Sequence, residues 1–112
     1  MPTQAQTIAT VTLFDYETAN GVGQQGVPVT CQLVSAGNPP TVASSPTAQV
    51  PADQRQQSIL TDLNGYWQFV VPSNAIITPA GSYYLVETPY RSMRVAIPSG
   101  AGPFQASANL AP

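Results

Sequence analysis

The sequence predicts an all-β protein, an antiparallel β-sandwich of about seven short strands. It predicts one domain over residues 7–112, preceded by an N-terminal arm of residues 1–6. Three observations point to this fold. Short segments alternate apolar with polar side chains, as half-buried strands do. Gly, Pro, Asn and Asp separate these segments at intervals of roughly 8–12 residues. No stretch carries a 3.6-residue apolar period with caps at both ends, so we expect only minor helices.

The first third of the chain contains two predicted strands with a loop between them. Residues 7–14 alternate β-branched and apolar residues with Thr and Ala, which predicts a half-buried strand. Residues 15–26 contain Asn20-Gly21 and two further Gly, which favour positive φ, and therefore predict a loop. Residues 27–34 alternate again and predict the second strand.

A long Pro-rich loop is predicted over residues 35–55. Its four Pro residues lack the backbone N–H that a strand ladder needs, so they favour an extended surface loop. Residues 51–57 are compatible with one short helical turn. Loops of this length in a small domain are commonly functional or mobile.

The second half of the chain carries the clearest strand signal. Residues 58–62 predict a short strand, and residues 62–65 are a strong turn motif that ends in Gly. Residues 66–71 predict a strand with large apolar side chains on one face, each contributing ~1.5–3 kcal/mol on burial. Residues 73–81 predict a connection that places an apolar Ile pair under the sheet.

The remaining strands follow after this connection. Residues 82–88 and 91–97 predict two alternating strands, and residues 98–103 predict a Gly-rich turn between the second of these and the C-terminus. Residues 104–110 are compatible with either a last strand or an extended tail. The inward-facing positions of all these strands predict a core of Val11, Leu13, Val29, Cys31, Leu33, Trp67, Phe69, Val71, Tyr84, Val86, Val95 and Ile97.

The composition excludes several classes of function. Only 7% of the residues are charged, with no Lys and no His, so the basic surface of a nucleic-acid-binding protein is absent. Without His, and with one Cys, the chain cannot build a His or Cys zinc site or a His-based triad. The uncharged runs are broken by polar residues, so no membrane span is expected. We expect no enzyme activity, and we predict no catalytic, cofactor-binding or metal-ligating residue.

Four short motifs resemble those of a known group of modules. They occupy residues 26–29, residues 61–72, residues 71–77 and residues 79–86, and read G-V-P-V, T-D-L-N-G-Y-W-Q-F-V-V-P, V-P-S-N-A-I-I and P-A-G-S-Y-Y-L-V. The first, second and fourth resemble the prealbumin-like, Ig-like β-sandwich modules, namely the carboxypeptidase-regulatory-like and Cna B-type domains. The third, followed by P-A-G-S-Y-Y, resembles the copies found in tailed-bacteriophage structural proteins. The resemblance covers about residues 7–98 and implies the fold and no catalytic residues.

One departure from the resemblance bears on stability. Cna B-type domains often carry an intramolecular Lys-to-Asn bond, and this chain has no Lys. We therefore expect its stability to come from packing or from contacts with other chains.

Two acidic motifs have a simple structural interpretation. Asp15 and Glu17 are spaced like paired carboxylates or a cation site, but nothing basic is near them in sequence, so we expect a solvated loop. Residues 62–65 contain Asp62, Asn64 and Gly65 but lack the further ligands of a calcium loop, so turn chemistry is expected. A single Cys31 on an apolar strand face predicts a buried structural thiol.

Aromatic and basic residues supply the candidate interface. Tyr66, Tyr83 and Tyr90 are expected outside the sheet, where they would serve a protein or sugar contact or pack beneath the long loop. Arg91 and Arg94 are predicted to point to opposite faces of one strand. At least one of them would then meet a partner's carboxylates or simply aid solubility.

The low charge itself favours a protein that belongs to an assembly. Gln, Thr, Ser and Ala, numbering 11, 11, 9 and 14, take the place of the charges that keep isolated domains soluble. We expect a bacteriophage virion protein, assembled in the host cytoplasm, that decorates and cements the capsid as a homo-oligomer such as a trimer. Its expected partner is the major capsid protein or another virion protein. The alternative is a tail, baseplate or fibre component that binds a carbohydrate or host receptor.

Overall fold

The structure, a computed structural model, is all-β. It describes residues 9–35, 41–42, 45–50, 52–78 and 80–111. The predicted arm, residues 1–6, lies outside the described residues. The strands are β1 (Val11–Tyr16), β2 (Thr18–Ala19), β3 (Val22–Gly23), β4 (Pro28–Val34), β5 (Thr41–Val42), β6 (Ser45–Gln49), β7 (Gln56–Leu60), β8 (Tyr66–Val71), β9 (Ile77–Thr78), β10 (Tyr83–Glu87), β11 (Ser92–Val95) and β12 (Phe104–Gln105).

Two main sheets share one core. The first has the strand order β12-β1-β8, and the second has the order β11-β10-β4-β7. The inner side chains of both sheets belong to a single buried cluster, an arrangement compatible with a β-sandwich. Burial of this cluster is the main favourable contribution to folding in so small a domain.

Nearly all strand pairs in the described part of the chain are antiparallel. The β1 and β8 strands pair from Val11 opposite Val71 to Tyr16 opposite Tyr66, and β10 pairs with both β4 and β11. The exception is β12, which runs parallel to β1 with Leu13 opposite Phe104. A parallel partner at this edge departs from the purely antiparallel sandwich predicted from the sequence, because the last strand returns across the molecule rather than through a hairpin.

Every residue predicted for the core is buried in the structure. Trp67, Leu13, Val71 and Tyr84 are among the largest side chains that are fully buried. The core also contains four residues that were not on the predicted core list, although Met93 alternates with Val95 on β11 and Ile77 belongs to the Ile pair predicted to lie under the sheet. These are Val50, Ile77, Met93 and Ala106.

The predicted loop over residues 35–55 contains regular structure. Strands β5 and β6 pair with each other, and β5 pairs with β9 to form a three-stranded sheet. A short helix, α1 (Ala52–Arg55), follows within the segment predicted to form a helical turn. Residues 36–40, 43–44 and 51 lie outside the described residues.

The predicted loop over residues 15–26 is also partly regular. The β1 strand continues through Asp15 to Tyr16, and β2 and β3 form a small hairpin. Its turn is Asn20-Gly21, and both residues have positive φ, as hairpin turns that follow the twist of the strands require. The prediction of a loop at Asp15 was wrong because polar residues there continue the inward side of β1.

Candidate functional site

Three charged side chains meet at the end of β1, and we call them the carboxylate cluster: Asp15, Glu17 and Arg91. The carboxylates are almost fully buried, at 4% and 2% exposed. The Arg91 guanidinium donates from Nε and Nη2 to Glu17 Oε1, at 2.9 and 2.7 Å. Its Nη2 lies 4.0 Å from Asp15 Oδ1 and donates to the carbonyl of Tyr16 at 3.0 Å. One guanidinium thus compensates two buried carboxylates.

The expectation that Asp15 and Glu17 lie in a solvated loop was wrong. The alternation that points Val11 and Leu13 inward continues to Asp15 and Glu17, so the carboxylates face the interior. Their cation, Arg91, stands 74 positions from Glu17 in the sequence. The continued alternation was a usable signal, whereas no local pattern could identify the partner.

The carboxylate cluster also ties the C-terminal segment to the first sheet. Asp15 Oδ2 accepts the backbone N–H of Ser107 at 2.8 Å, and Asp15 Oδ1 accepts Gln105 Nε2 at 3.4 Å. Thr88 Oγ1 donates to Glu17 Oε2 at 3.5 Å and accepts the backbone N–H of Arg91 at 3.1 Å. These contacts use the carboxylates to hold chain segments together, which is a structural role.

An aromatic patch covers the outer face of the first sheet and consists of Phe14, Tyr16 and Tyr66. Ring centroids lie 6.0 Å apart for Phe14 and Tyr66, 5.3 Å for Tyr16 and Tyr66, and 6.3 Å for Phe14 and Tyr16. Tyr66 Oη donates to Gln68 Oε1 at 2.7 Å. The patch therefore combines flat apolar rings with an adjacent amide. Of these three residues, the interface predicted from the sequence included only Tyr66, although Phe14 and Tyr16 occupy outward positions of β1.

The other predicted interface residues are distributed over the molecule. Tyr83 lies on β10 in the second sheet, half-buried, with the Arg94 guanidinium 5.3 Å from its ring centroid. Tyr90 lies in the turn before β11 and is 68% exposed. Since Tyr66 is on β8 in the first sheet, the three tyrosines do not form one common cluster. Arg91 is engaged in the carboxylate cluster, so Arg94 is the more exposed of the pair.

The turn at residues 62–65 has the geometry expected from turn chemistry. Asp62 Oδ1 accepts the backbone N–H groups of Asn64 and Tyr66, at 2.8 and 3.0 Å. Gly65 has a φ of 78°, and its carbonyl accepts the N–H of Glu17 at 2.7 Å. The carboxylate is thus used by its own turn, and the turn packs against the end of β1.

The β7 and β8 strands are edge strands of the two sheets, and we call the side of the molecule on which they lie the open side. Among the described strands, β7 pairs with β4 alone and β8 pairs with β1 alone. Exposed apolar side chains lie here, including Ile59, Leu63 and Leu60, the last of which is 63% exposed. The opposite side is covered, because the C-terminal segment binds the chain directly after β11, where Ala96 N donates to Asn109 O at 2.9 Å.

The surface carries few charges. The chain has three Arg and five acidic residues, and Asp15, Glu17 and Arg91 are used in the carboxylate cluster. Contacts with another molecule must therefore rest mainly on apolar, aromatic and amide groups.

Comparison with known proteins adds no assignment: no protein-family model matches this chain, and no curated protein sequence matches it. Within the described residues, no helix is long and apolar enough to cross a membrane. The same residues contain no group of three or more His, Cys, Asp or Glu side chains placed to hold a metal ion.

Proposed function

We propose that this protein is an accessory structural protein of a tailed-bacteriophage particle, a capsid decoration protein that cements the head surface in many copies. The observation that carries the proposal is the charge-poor surface with exposed apolar and aromatic side chains. Isolated domains usually keep about a quarter of their residues charged. A surface without those charges suits a protein whose faces are covered by neighbours in an assembly.

The resemblance of the turn and strand motifs to modules of bacteriophage structural proteins supports the same proposal. Gly26, Asn64 and Gly81 stand at turns of the structure, and both Gly residues have positive φ. These positions belong to the motifs that carry the resemblance. They support a shared fold, whereas the proposed role in capsid decoration rests on the charge-poor surface.

The mechanism of cementing would be adhesive. A stable contact buries ~1,000 Å² or more of surface, with apolar burial contributing about 25 cal/mol for each Å². Binding across adjacent capsid subunits would oppose their separation, so the particle would resist heat better with the protein bound. The partner would be the major capsid protein or another virion protein.

A second candidate is favoured by the aromatic patch. Tyr16 and Tyr66 present rings beside the amide of Gln68, and exposed aromatic rings next to hydrogen-bonding groups suit the apolar faces and hydroxyls of a sugar. On this basis the protein would be a tail, baseplate or fibre component that binds a carbohydrate of the host surface.

The two candidates are separated by a binding experiment with purified protein. Capsids stripped of accessory proteins, isolated tails and host polysaccharide are each mixed with the protein and analysed by sedimentation and electron microscopy. Decoration predicts saturable binding over the head lattice and greater heat resistance of the capsids. Because few charges are available, it also predicts binding that changes little between about 50 and 500 mM salt.

A matched pair of variants sharpens this experiment. Tyr16→Ser removes an exposed ring of the aromatic patch, and Tyr90→Ser removes an exposed ring elsewhere. Loss of polysaccharide binding in the first variant alone, with no head binding by the unmodified protein, would establish the carbohydrate role and reject decoration. Absence of binding to heads, tails and polysaccharide would reject both candidates.

A further inference from the structure

The two edge strands of the second sheet, β11 and β7, differ in what covers them. At the first edge, the C-terminal segment covers β11: Ala111 N donates to Arg94 O at 2.8 Å, and Val95 forms a bridge with Leu110. At the second edge, β7 has no strand partner among the described residues except β4. An uncovered edge exposes a row of backbone donors and acceptors that a further strand can bind.

The sequence of β7 lacks the usual protections of such an edge. It reads Gln-Gln-Ser-Ile-Leu, without Lys, Pro or any charge. Natural proteins commonly block pairing between exposed edges with such residues or with bulges. In the register with β4, the strand is regular from Leu60 opposite Pro28 to Gln56 opposite Gln32.

The hydrogen-bond alternation determines which backbone groups of β7 are available. Thr61 N donates to Val27 O at 3.0 Å, so the alternation turns the groups of Gln57 and Ile59 toward β4. Those of Gln56, Ser58 and Leu60 then point away from the sheet.

We propose that two copies of this chain pair through their β7 strands, antiparallel about a twofold axis at Ser58. In this register Ser58 faces Ser58 of the second copy, and Gln56 faces Leu60. Each of these pairs brings two sets of available backbone groups together, so each exchanges two hydrogen bonds. Registers whose axis lies between two residues would oppose available groups to groups already bound to β4, and registers centred on Gln57 or Ile59 would pair fewer of the available groups within β7. The four-stranded sheets would join into one continuous sheet across the two molecules.

Charge complementarity at the ends of β7 favours a second copy as the occupant. The same register places Arg55, just before β7, beside Thr61 and Asp62 of the other copy. Arg55 is half-buried, and its Nε has no hydrogen-bond partner in the described part of the chain. Asp62 is exposed and binds its own turn through Oδ1. The twofold axis repeats the contact, so two Arg–Asp pairs would flank the joined strands.

Apolar contacts add to this pairing. Ile59 and Leu60 are exposed in the single chain. In the pair, Ile59 would lie opposite Gln57 on the inner face, and Leu60 opposite Gln56 on the outer face. A symmetrical dimer would thus cover the apolar residues of the edge without bringing like charges together.

The test begins with sedimentation equilibrium of the purified protein over a range of concentrations. The unmodified protein is expected to be a dimer that dissociates on dilution. Ser58→Lys would place two like charges opposite each other at the axis and give a monomer, although the exposed site leaves the fold of the chain intact. Ser92→Lys, also exposed but on β11, is the matched control and should remain a dimer.

Cross-linking provides a second measurement that does not depend on the Lys variant. Directly opposed residues in such a pair have Cα atoms about 5.5 Å apart, which suits a disulfide. Ser58→Cys should therefore form a covalent dimer on mild oxidation, whereas Ser92→Cys should not. The native Cys31 is buried and does not contribute.

Several results would overturn the dimer. These are a monomer or trimer at all concentrations, a dimer that survives Ser58→Lys, or equal cross-linking of the two Cys variants. A monomer whose Ser58→Lys variant fails to bind capsids would assign the β7 edge to a capsid protein instead. Because self-association is measured without particles, this inference and the proposed decoration role can fail separately.

Discussion

At the residue scale, the most informative arrangement is the pairing of Glu17 and Asp15 with Arg91. A buried ion pair need not be worth more than a well-packed apolar contact, but removing one partner leaves an uncompensated charge. Arg91 holds two carboxylates, so its loss affects both. Within the described part of the chain, the side chain of the neighbouring Arg94 makes only the contact with the Tyr83 ring.

This contrast predicts different costs for the same substitution. Arg91→Met should lower the free energy of unfolding by about 3 kcal/mol, the low end of the range for broken buried pairs, because its side chain is 35% exposed. Arg94→Met, the control, should cost about 0.5–1 kcal/mol. Urea unfolding measures both. Equal costs would show that the carboxylate cluster does not contribute in the way described.

At the scale of elements, the turn at residues 62–65 is packed backbone against backbone onto the end of β1 and the β2–β3 hairpin. A Cβ at Gly65 would meet the carbonyl of Glu17 and the N–H of Gln24, and a Cβ at Gly23 would meet the backbone of Asn64. Close approach, and not only the positive φ, requires glycine at position 65. This turn carries the chain from the second sheet to the first.

A pair of Ala substitutions separates backbone strain from close packing. Gly21 and Gly65 both have φ of 78°, but a Cβ at Gly21 meets nothing within 4 Å. Gly21→Ala should cost only the strain of the left-handed conformation, about 1–2 kcal/mol. Gly65→Ala should cost about 1–3 kcal/mol more because the backbone must shift. Thermal unfolding of both variants gives the difference, and similar values would rule out the packing contribution.

At the scale of the whole molecule, stability depends on a core that contains two weakly acidic groups. Burial raises the pKa of the Cys31 thiol from 9.0 to about 12. Burial, and then the neighbouring Cys31, also raises the pKa of Tyr84 above its usual 10.0. Both groups are held in their neutral forms by the fold, and both ionise more readily in the unfolded chain.

These shifts predict a loss of stability at alkaline pH. Below pH 9 the contribution of Cys31 is fully present, because its thiol is neutral in both states. Between pH 9 and 12 only the unfolded chain loses the proton, so stability should fall by about 1.4 kcal/mol for each pH unit. Urea titrations from pH 7 to about 10 measure the slope. The Cys31→Ala variant should show a smaller slope, and an unchanged slope would exclude Cys31 as its source.

The sequence alone determined the fold class and the interior. Alternation along β1, β4, β8, β10 and β11 identified core residues such as Leu13, Val29 and Trp67, because the twofold period of a strand is a local property of the chain. The turn at Asp62 was equally local, since its carboxylate binds N–H groups only two and four residues ahead.

Only the tertiary structure decided what these elements meet. The partner of Glu17, the parallel return of β12 and the pairing of β7 with β4 alone among the described strands all depend on which distant segments come together. Sequence patterns show which side of a strand is buried, but they do not show which strand lies beside it. The aromatic patch is an example, because Tyr16 and Tyr66 become neighbours only when β1 pairs with β8.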